Sequence, residues 1–586
     1  MSATVDHQQS AVNHARANTV TPAQEPSPAL PLLDIAIVGA GIGGCYLAER
    51  IVHRKESARH SGSGPVALFE RTHRVGGRLW TVRMGQGSEA PVADLGAMRL
   101  HRGLRRVLDV VARAGLAGDL VPFDFGRPEN PVHVRGVTLR QHQLADPTRI
   151  PYDLRERERG LDPGDLVRHA AEALVPGFAE LRRTHHEALG QGDAHRAART
   201  AAAFRARRDT ATAGGRPLRH TTYADALRTV LGAEAVALLH DTGGYDVGTS
   251  GENAAEQLGL LFRTPPDAEY VTLRHGMQRL PLALCDRFTA AGGSLRLGHR
   301  LLRVDRAEPD AARAATGRGE PPPRYRLTFA LEDPRGRATG ERLRVHARTV
   351  LLALPPGPLL RLAQDGLPFT PRLRADLAAV EAVPAHKLFL LYETAWWRRL
   401  GMTRGRATTD LPLRQLWYGG TCPPPAASRG DGPGLLLAAY PSGPATASWT
   451  AAEARPAAAG IAAGAAEGAA VGTAGGAPDP AAPVPGAATV ERAHRLVARM
   501  HGLPGLAAPL LARWQDWNRP PHDGAWHVWR PGHDPDTVAP RVRRPLPGEA
   551  VHLVSDCWTP DPGSIEGVVC CADAVLRELA GERGDR

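Results

Sequence analysis

Apolar residues along the chain fall into two patterns, short continuous runs and longer stretches in which they recur at helical spacing. The first run covers residues 35–38, is rich in β-branched side chains, and is followed by a cluster of glycines and a helical pattern that reaches about Val52. Such a run is typical of a parallel strand buried on both faces. We therefore predict that the chain opens with a strand, a tight turn and a helix.

The same two patterns recur further along and predict an α/β fold. Apolar runs predict strands at residues 65–70, 325–331, 348–355 and 551–556. Helical spacing predicts a helix at 104–116, several over 160–239, one that stops near Gly292, one from about Thr489, and a closing helix at 563–579. Because a strand and a helix both open and close the chain, we expect the first domain to be discontinuous.

Charge narrows the class of partner. The chain has 72 Lys and Arg against 61 Asp and Glu, a net charge of +11, and such an excess is common in proteins that bind nucleic acid or acidic membranes. The arginines are dispersed, however, and no motif combines basic and aromatic side chains. We therefore expect a solvated basic surface and no nucleic-acid partner, although a basic pocket for an anionic substrate fits the same excess.

The sequence shows neither a membrane span nor a targeting segment. No window approaches the roughly 18 uninterrupted apolar residues that a span needs, and the polar N-terminal residues lack the apolar core of a signal peptide. The six cysteines show no CxxC spacing, and the histidines at residues 183–189 lack further metal ligands. We expect a cytoplasmic protein with reduced thiols, no metal and no membrane association.

Gly39, Gly41 and Gly44 form the pattern GxGxxG between the first strand and helix. In a dinucleotide-binding turn the first glycine permits the sharp bend, the second lets the backbone approach a pyrophosphate, and the third lets the helix pack on the strand. The helix N-terminus adds N–H groups and a positive dipole end. Alone the pattern is weak evidence, because a glycine turn is often purely structural.

A carboxylate and a second glycine pair strengthen the dinucleotide interpretation. The second predicted strand ends in Glu70, which is placed to accept hydrogen bonds from a ribose. Glu70 follows Gly44 by 26 residues rather than the usual spacing of about 20, and the polar insert at residues 53–64 accounts for the excess. A further glycine pair and an arginine come next, as Gly76, Gly77 and Arg78.

These elements, in this order, resemble the FAD fingerprint of the flavin-dependent amine oxidases, which include L-amino-acid, monoamine and polyamine oxidases. The resemblance runs from about Asp34 to the C-terminus, with gaps at the helical region and at an Ala/Gly-rich stretch. It implies FAD rather than NAD as the cofactor. It also implies cofactor contacts at Gly39, Gly41, Gly44, Glu70, Gly77, Arg78, Leu301, Asp556 and Ile565.

The resemblance and the patterns together predict an α/β architecture. It has a Rossmann-like FAD-binding domain, a discontinuous mixed-sheet substrate domain and a helical insertion. The predicted bounds are 1–32 for a flexible N-terminal arm, 33–105, 265–356 and 541–586 for the FAD-binding domain, 106–264 for the mainly helical part of the substrate domain, and 357–540 for its remainder, with an Ala/Gly/Pro-rich insert at 451–487.

Two residues are predicted to bind a substrate carboxylate. Residues 93–103 resemble the L-amino-acid oxidase pattern LG-x-MR, in which the arginine grips the carboxylate, and Arg99 fills that place. A guanidinium suits the role because its planar fork makes two parallel hydrogen bonds. Tyr440 matches the tyrosine that joins that arginine. The pair favours amino acids over simple amines, whereas composition alone favours an exposed surface arginine.

Three further residues are assigned by resemblance, each with a structural alternative. Residues 385–418 are similar to the family segment that carries a strand lysine and TTDLP, which implies that Lys387 holds a water beside flavin N5; a structural ion pair is the alternative. The turn at 523–532 implies that Trp526, and with it Trp529, lie near the substrate side chain. Core packing is the alternative for both. If the two tryptophans contact the substrate, they indicate that its side chain is large or cationic.

The C-terminal motif departs from the family pattern of GE, a short linker, and GW-[IV]-[ED]-G. Ser555 and Asp556 stand where the family has Gly and Glu, and Ser564 replaces the Trp. Losing this aromatic removes one wall beside the flavin ring, and Trp558 is the candidate to replace it. The positions that keep the pattern are Gly563, which we also expect to contact substrate, Ile565, Glu566 and Gly567.

The function that these observations predict is oxidation of an L-amino acid at its α-carbon. The resemblance implies hydride transfer to the flavin, hydrolysis of the imino acid to a 2-oxo acid and ammonia, and reduction of oxygen to hydrogen peroxide. The alternatives are an amino-acid 2-monooxygenase that releases a carboxamide, an amine or polyamine oxidase, and a non-catalytic or nucleic-acid-binding flavoprotein. The expected partners are an amino acid, oxygen and, as often in the family, a second copy of the chain.

Overall fold

The structure, a computed structural model, describes residues 32–57, 64–85, 90–246, 251–308, 322–362, 369–420, 432–449 and 484–584. The strands within them are β1 (Leu32–Val38), β2 (Val66–Phe69), β3 (Thr81–Arg83), β4 (Val92–Asp94), β5 (Leu100–His101), β6 (Leu120–Pro122), β7 (Pro131–Val134), β8 (Val137–Arg140), β9 (Thr212–Ala213), β10 (Arg216–Pro217), β11 (Tyr270–Leu273), β12 (Ser294–Arg296), β13 (His299–Arg306), β14 (Tyr325–Glu332), β15 (Ala338–Leu352), β16 (Val380–Val383), β17 (His386–Tyr392), β18 (Gly405–Thr409), β19 (Gln415–Tyr418), β20 (Gly434–Ala439), β21 (Leu511–Asp516), β22 (Trp526–Trp529) and β23 (Val551–Leu553). The α-helices are α1 (Ile42–Ser57), α2 (Arg105–Arg113), α3 (Pro163–Leu174), α4 (Phe178–Gly190), α5 (Ala194–Thr210), α6 (Tyr223–Val230), α7 (Ala233–Gly243), α8 (Ala254–Arg263), α9 (Arg279–Ala290), α10 (Pro356–Leu362), α11 (Pro371–Leu377), α12 (Ala487–His501), α13 (Pro535–Arg543) and α14 (Ile565–Gly584).

A seven-stranded mixed sheet forms around the first predicted strand. Its order is β12-β2-β1-β15-β14-β13, and β23 pairs with the last residues of β15. Strand β1 lies between β2 and β15 and is parallel to both. All four residues of the apolar run at 35–38 are buried. The run therefore forms a central strand covered on both faces, as its pattern indicates.

Helices cover both faces of this sheet. On one face α1 packs against α9 and α14, and Leu47, Phe288 and Val575 belong to the same buried cluster. On the other face α11 and α13 bury Leu373 and Val538. The sheet is thus the middle layer of an α/β sandwich, the arrangement that a strand buried on both faces requires.

A second seven-stranded sheet has the order β21-β17-β20-β19-β18-β7-β8. It is antiparallel except where β18 meets β7. Every residue of β17 is buried. Helix α12 covers part of this sheet with buried Val490, Ala493, Val497 and Met500, which recur at the spacing of one helix face.

Helices α3 to α8 bury a hydrophobic cluster of their own. The charged stretch at residues 191–217 lies here and is mostly α5, because its Ala and Arg residues are strong helix formers. Phe204 of α5 stacks on Phe262 of α8 with ring centroids 4.1 Å apart. A few apolar contacts therefore anchor a helix that is otherwise rich in arginine.

The predicted α/β fold with mixed sheets and a helical insertion is confirmed, with shifts at the C-terminal end. The last strand ends at Leu553, so Ser555 and Asp556 lie in the turn after it, and the closing helix runs over Ile565–Gly584. The predicted arm at 1–32 and insert at 451–487 lie almost entirely outside the described residues, and the domain bounds stay predictions. Within the described ranges, no helix combines the length and apolar composition that crossing a bilayer requires.

Candidate active site

A cavity of about 500 Å³ lies where four parallel strands end. The residues that directly follow β1, β2, β15 and β23 all line it, among them Gly39, Glu70, Ala353 and Val554. Ligands of open α/β sheets bind outside the carboxyl ends of the strands. This cavity is therefore the candidate site for both cofactor and substrate.

The glycine turn shows a different constraint at each predicted position. Gly39 has φ +103°, and a side chain there would collide with the carbonyl oxygen of Ala353. A side chain on Gly44 would collide with the carbonyl oxygen of Gly39, so this glycine lets α1 pack against the turn. Gly41, in contrast, has no atom within 4 Å of where a Cβ would stand, and it lines the cavity. We call this open space at Gly41 the cradle, and it fits the pyrophosphate of a dinucleotide.

Glu70 holds the same turn from the second strand. One carboxylate oxygen accepts a hydrogen bond from the backbone N–H of Ala40 at 2.8 Å. The other accepts from the backbone N–H and the hydroxyl of Thr72, both at 2.9 Å. A carboxylate has about four acceptor positions, so Glu70 retains capacity for a ribose hydroxyl while it fixes the turn.

Arg78 and Asp556 form an ion pair in the cavity wall. The Arg78 guanidinium donates to the Asp556 carboxylate and, at 3.1 Å, to the carbonyl of Ala525. Burial opposes the charge of Arg78, but the Asp556 carboxylate outweighs it and raises the Arg78 pKa. Likewise burial would raise the Asp556 pKa, but the Arg78 guanidinium lowers it. Asp556, although shorter than the family Glu, is thus kept ionised.

Lys387 on β17 is 1% exposed, and two carbonyl groups hold its ammonium. Nζ donates to the carbonyl oxygens of Asp94 at 3.0 Å and Gly96 at 2.5 Å, and it lies 4.8 Å from the ring centroid of Tyr440. These contacts hold the segment that leads to Arg99. Lys387 lines the cavity, which is compatible with its predicted contact to a water.

Arg99 lies beside the cavity wall rather than in the cavity lining. Its guanidinium donates to the hydroxyl of Tyr245 at 3.1 Å. Burial opposes its charge, but Tyr245 outweighs this effect and raises the Arg99 pKa. Its guanidinium carbon lies 4.8 to 6.0 Å from the ring centroids of four aromatic residues, Phe125, Trp417, Tyr270 and Phe123.

Tyr245 connects Arg99 to the cavity. Its ring is edge-on to Tyr440, with centroids 5.5 Å apart, and to Trp526, with centroids 5.9 Å apart. Tyr440 and Trp526 both line the cavity, as does Gly563 beneath Trp526. Burial, with Tyr245 nearby, raises the pKa of Tyr440 far above its usual value, so its hydroxyl stays a hydrogen-bond donor.

Trp529 and Trp558 are core residues, which for Trp529 is the alternative that the sequence left open. Trp529 is 1% exposed, donates to the carbonyl of Thr559 at 2.8 Å, and belongs to the core beneath the first sheet. Trp558 belongs to the same core and does not line the cavity, so it replaces no flavin wall. Trp529 is on β22, which pairs with β16, whereas Trp558 lies in the turn after β23. Ser564 instead caps α14, since its hydroxyl accepts from the N–H of Gly567 at 2.8 Å.

Of the predicted cofactor and substrate residues, all but Gly44, Arg99 and Trp529 line this one cavity. Residues that sequence reasoning missed also lie at it, notably Trp517, His522 and, behind Tyr440, Tyr245. Burial and nearby arginines lower the His522 pKa well below its usual value. No motif marks these three, because their position depends on tertiary packing. Within the described part of the chain, no group of three or more His, Cys, Asp or Glu is placed to hold a metal.

Comparison with known proteins identifies the class. The profile of the flavin containing amine oxidoreductases matches residues 59–458. Aplysianin-A of Aplysia kurodai is 27% identical over 563 residues, or 93% of this chain and 90% of that protein. An L-amino-acid oxidase of Mus musculus is 26% identical over 408 residues, or 69% of this chain and 53% of that protein. A solved putrescine oxidase variant shares the fold, with TM-score 0.59 and 18% identity over 94% of this chain and 100% of its own.

The chain therefore belongs to the flavin-containing amine oxidoreductases, and FAD is its cofactor. The cavity fits this group on its own evidence, through the open cradle at Gly41, the acceptor Glu70 and the ion pair of Arg78 with Asp556. Leu301 and Ile565 add apolar lining. The family and cofactor predictions are confirmed, while the role of each site residue stays a prediction.

A matched pair of glycine substitutions tests the cradle. Gly44→Ala places a methyl group against backbone, so we expect the flavin-free protein to lose about 1–3 kcal/mol of unfolding free energy, as over-packing does. Gly41→Ala meets no protein atom, so we expect unchanged stability without flavin but reduced FAD retention. The measurements are urea unfolding of the flavin-free proteins and flavin absorbance per chain after purification. Full FAD content in Gly41→Ala contradicts this cradle.

A second test concerns the buried pair. Asp556→Asn leaves Arg78 buried without a counter-ion, which costs about 3 kcal/mol. Because the Asp556 pKa is lowered in the folded protein, its stabilising effect is present above the unfolded value of about 3.9 and is lost as pH falls through the folded value. The deficit of the variant, measured by urea unfolding, should therefore shrink below about pH 4. Asp523→Asn, which breaks the more exposed pair with Arg361, should cost less than about 1 kcal/mol.

Proposed function

We propose that the protein is an FAD-dependent L-amino-acid oxidase that converts its substrate to a 2-oxo acid and ammonia and reduces oxygen to hydrogen peroxide. The observation that carries this proposal is Arg99, a half-buried guanidinium behind the cavity wall with no carboxylate within 4.0 Å among the described residues. Similarity to the mouse L-amino-acid oxidase supports it.

The charge of Arg99 needs an anionic partner. A buried charge is stable in a protein only when it is paired and hydrogen-bonded, and the Tyr245 hydroxyl is its one hydrogen-bond acceptor in the described structure. The faces of four aromatic rings offer weaker cation–π attraction. A substrate carboxylate would supply the missing charge and accept two parallel bonds.

The neighbouring residues suit the rest of an amino acid. The protonated hydroxyl of Tyr440 can donate to the same carboxylate, and its ring lies beside the Lys387 ammonium. Trp526, Tyr245 and Tyr440 form an aromatic wall. FAD, when bound, supplies the two-electron oxidation of the amine and the subsequent transfer of electrons to oxygen. The chain itself contributes orientation, as expected where the cofactor carries the chemistry.

The reaction products distinguish the proposed oxidase from the alternative enzymes. An oxidase yields hydrogen peroxide and a 2-oxo acid, whereas an amino-acid 2-monooxygenase yields a carboxamide and carbon dioxide. An amine or polyamine oxidase would reduce its flavin with amines that lack a carboxylate. Product analysis after anaerobic and aerobic turnover with a panel of L-amino acids distinguishes these outcomes. Compartment and oligomeric state stay predictions from the sequence.

Arg99→Gln tests carboxylate recognition. Removing a charged partner of a carboxylate costs about 3 kcal/mol, so we expect the rate of anaerobic flavin reduction by L-amino acids, per unit substrate concentration, to fall about a hundredfold. Flavin content should be unchanged. Arg102→Gln is the control, since Arg102 is exposed and pairs with exposed Glu269. Undiminished reduction of Arg99→Gln, or reduction by the matching decarboxylated amine at the wild-type rate, argues against the proposal.

Lys387→Met tests the second half of the reaction. If the Lys387 ammonium orders a water or proton where reduced flavin meets oxygen, reoxidation should slow by about a hundredfold, a typical size for a positioned proton donor. Anaerobic flavin reduction should change much less. Stopped-flow mixing of reduced enzyme with oxygenated buffer measures this step. A uniform loss of both half-reactions instead assigns Lys387 to holding the Asp94 and Gly96 backbone.

A further inference from the structure

A second arginine lies next to Arg99. Arg406 is on β18, and its guanidinium carbon is 4.6 Å from the ring centroid of Phe125. The guanidinium carbon of Arg99 is 4.8 Å from the same centroid. One aromatic ring is therefore in cation–π contact with two guanidinium groups, an arrangement that brings two positive charges close together.

Arg406 lacks the counter-ion that its neighbours have. Arg404 lies 3.5 Å from the carboxylate of Asp124, and Arg414 lies 2.8 Å from that of Asp246. Arg406 donates to the carbonyl of Gly243 at the end of α7, at 3.1 Å, and no carboxylate in the described ranges lies within 4.0 Å of it. A guanidinium has five N–H donors, so most of its capacity is unused by these residues.

The electrostatics are unfavourable without a ligand. Burial, together with the charge of Arg99, lowers the Arg406 pKa to about 10. Arg406 therefore remains cationic near neutral pH despite the nearby positive charge. One carboxylate can neutralise only one of the two arginines, whereas a ligand with two carboxylates can neutralise both.

We propose that Arg406 forms a subsite for a second carboxylate beside the α-carboxylate that Arg99 binds. The preferred substrates would then be L-amino acids whose side chain carries a carboxylate. This inference rests on the proposed function. Phe125 contacts both guanidiniums, and Tyr245 links Arg99 to the cavity residues Tyr440 and Trp526, so the side chain of a dicarboxylic amino acid would extend from the cavity along these rings. The same charges repel cationic side chains, which reverses the preference that the tryptophans alone indicate.

The experiment compares acid and amide substrates of equal length in the FAD-loaded enzyme. We measure anaerobic flavin reduction with L-glutamate against L-glutamine and L-aspartate against L-asparagine. For at least one pair, the rate per unit concentration should favour the acid by about tenfold or more, the size of one charged hydrogen bond. Arg406→Gln should abolish this ratio and leave reduction by L-leucine within about twofold, while Arg406→Lys should retain part of it.

Arg404→Gln is the matched control, because it removes a nearby guanidinium that is paired; it should keep the acid preference. Equal or faster reduction by both amides in the wild type overturns the subsite. So does an equal loss on all substrates in Arg406→Gln with a lowered thermal midpoint, which makes Arg406 a cap of α7. If no L-amino acid reduces the flavin, the proposed function fails as well; if neutral ones do without acid preference, only the subsite fails.

Discussion

The structure depends on a close backbone approach at the end of β1. Gly39 lies against the carbonyl of Ala353, which follows β15, and Gly44 lies against Gly39 itself. Glu70 then ties β2 to the same turn through the N–H of Ala40. Three parallel strands can end at one place only because these positions carry no side chain or the right carboxylate. The cavity lies at that convergence.

The residues that would hold the cofactor were easier to predict from the sequence than those around the substrate, because they are close together in the chain. The glycine turn, Glu70 and Arg78 lie within one β–α–β unit and its extension, so their spacing along the chain largely fixes their positions in space. The surroundings of Arg99 come instead from distant segments that contribute Phe125, Tyr245 and Trp417. None of these carries a motif, and only the meeting of the helical region with the second sheet brings them together.

The residues that depart from the family pattern make local contacts of their own. Asp556 is one methylene shorter than glutamate, yet it still reaches Arg78. Ser564 lacks the family indole, but its hydroxyl caps α14. Trp526 remains as an aromatic wall of the cavity, whereas Trp529 and Trp558 are core residues. The aromatic wall of the cavity therefore need not come from the motif position at which the family has a tryptophan.

The ion pairs show which of the arginines behind the net charge of +11 have an acidic partner and which do not. Many arginines lie at the surface beside an acid, as Arg183 does with Glu180 and Glu187, and such pairs contribute little to stability. Arg99 and Arg406 differ because they lie against aromatic rings and have no carboxylate within 4.0 Å in the described ranges. A charge in that position favours an anionic ligand far more than one on the surface does. The chemically informative part of the basic excess is therefore this half-buried pair.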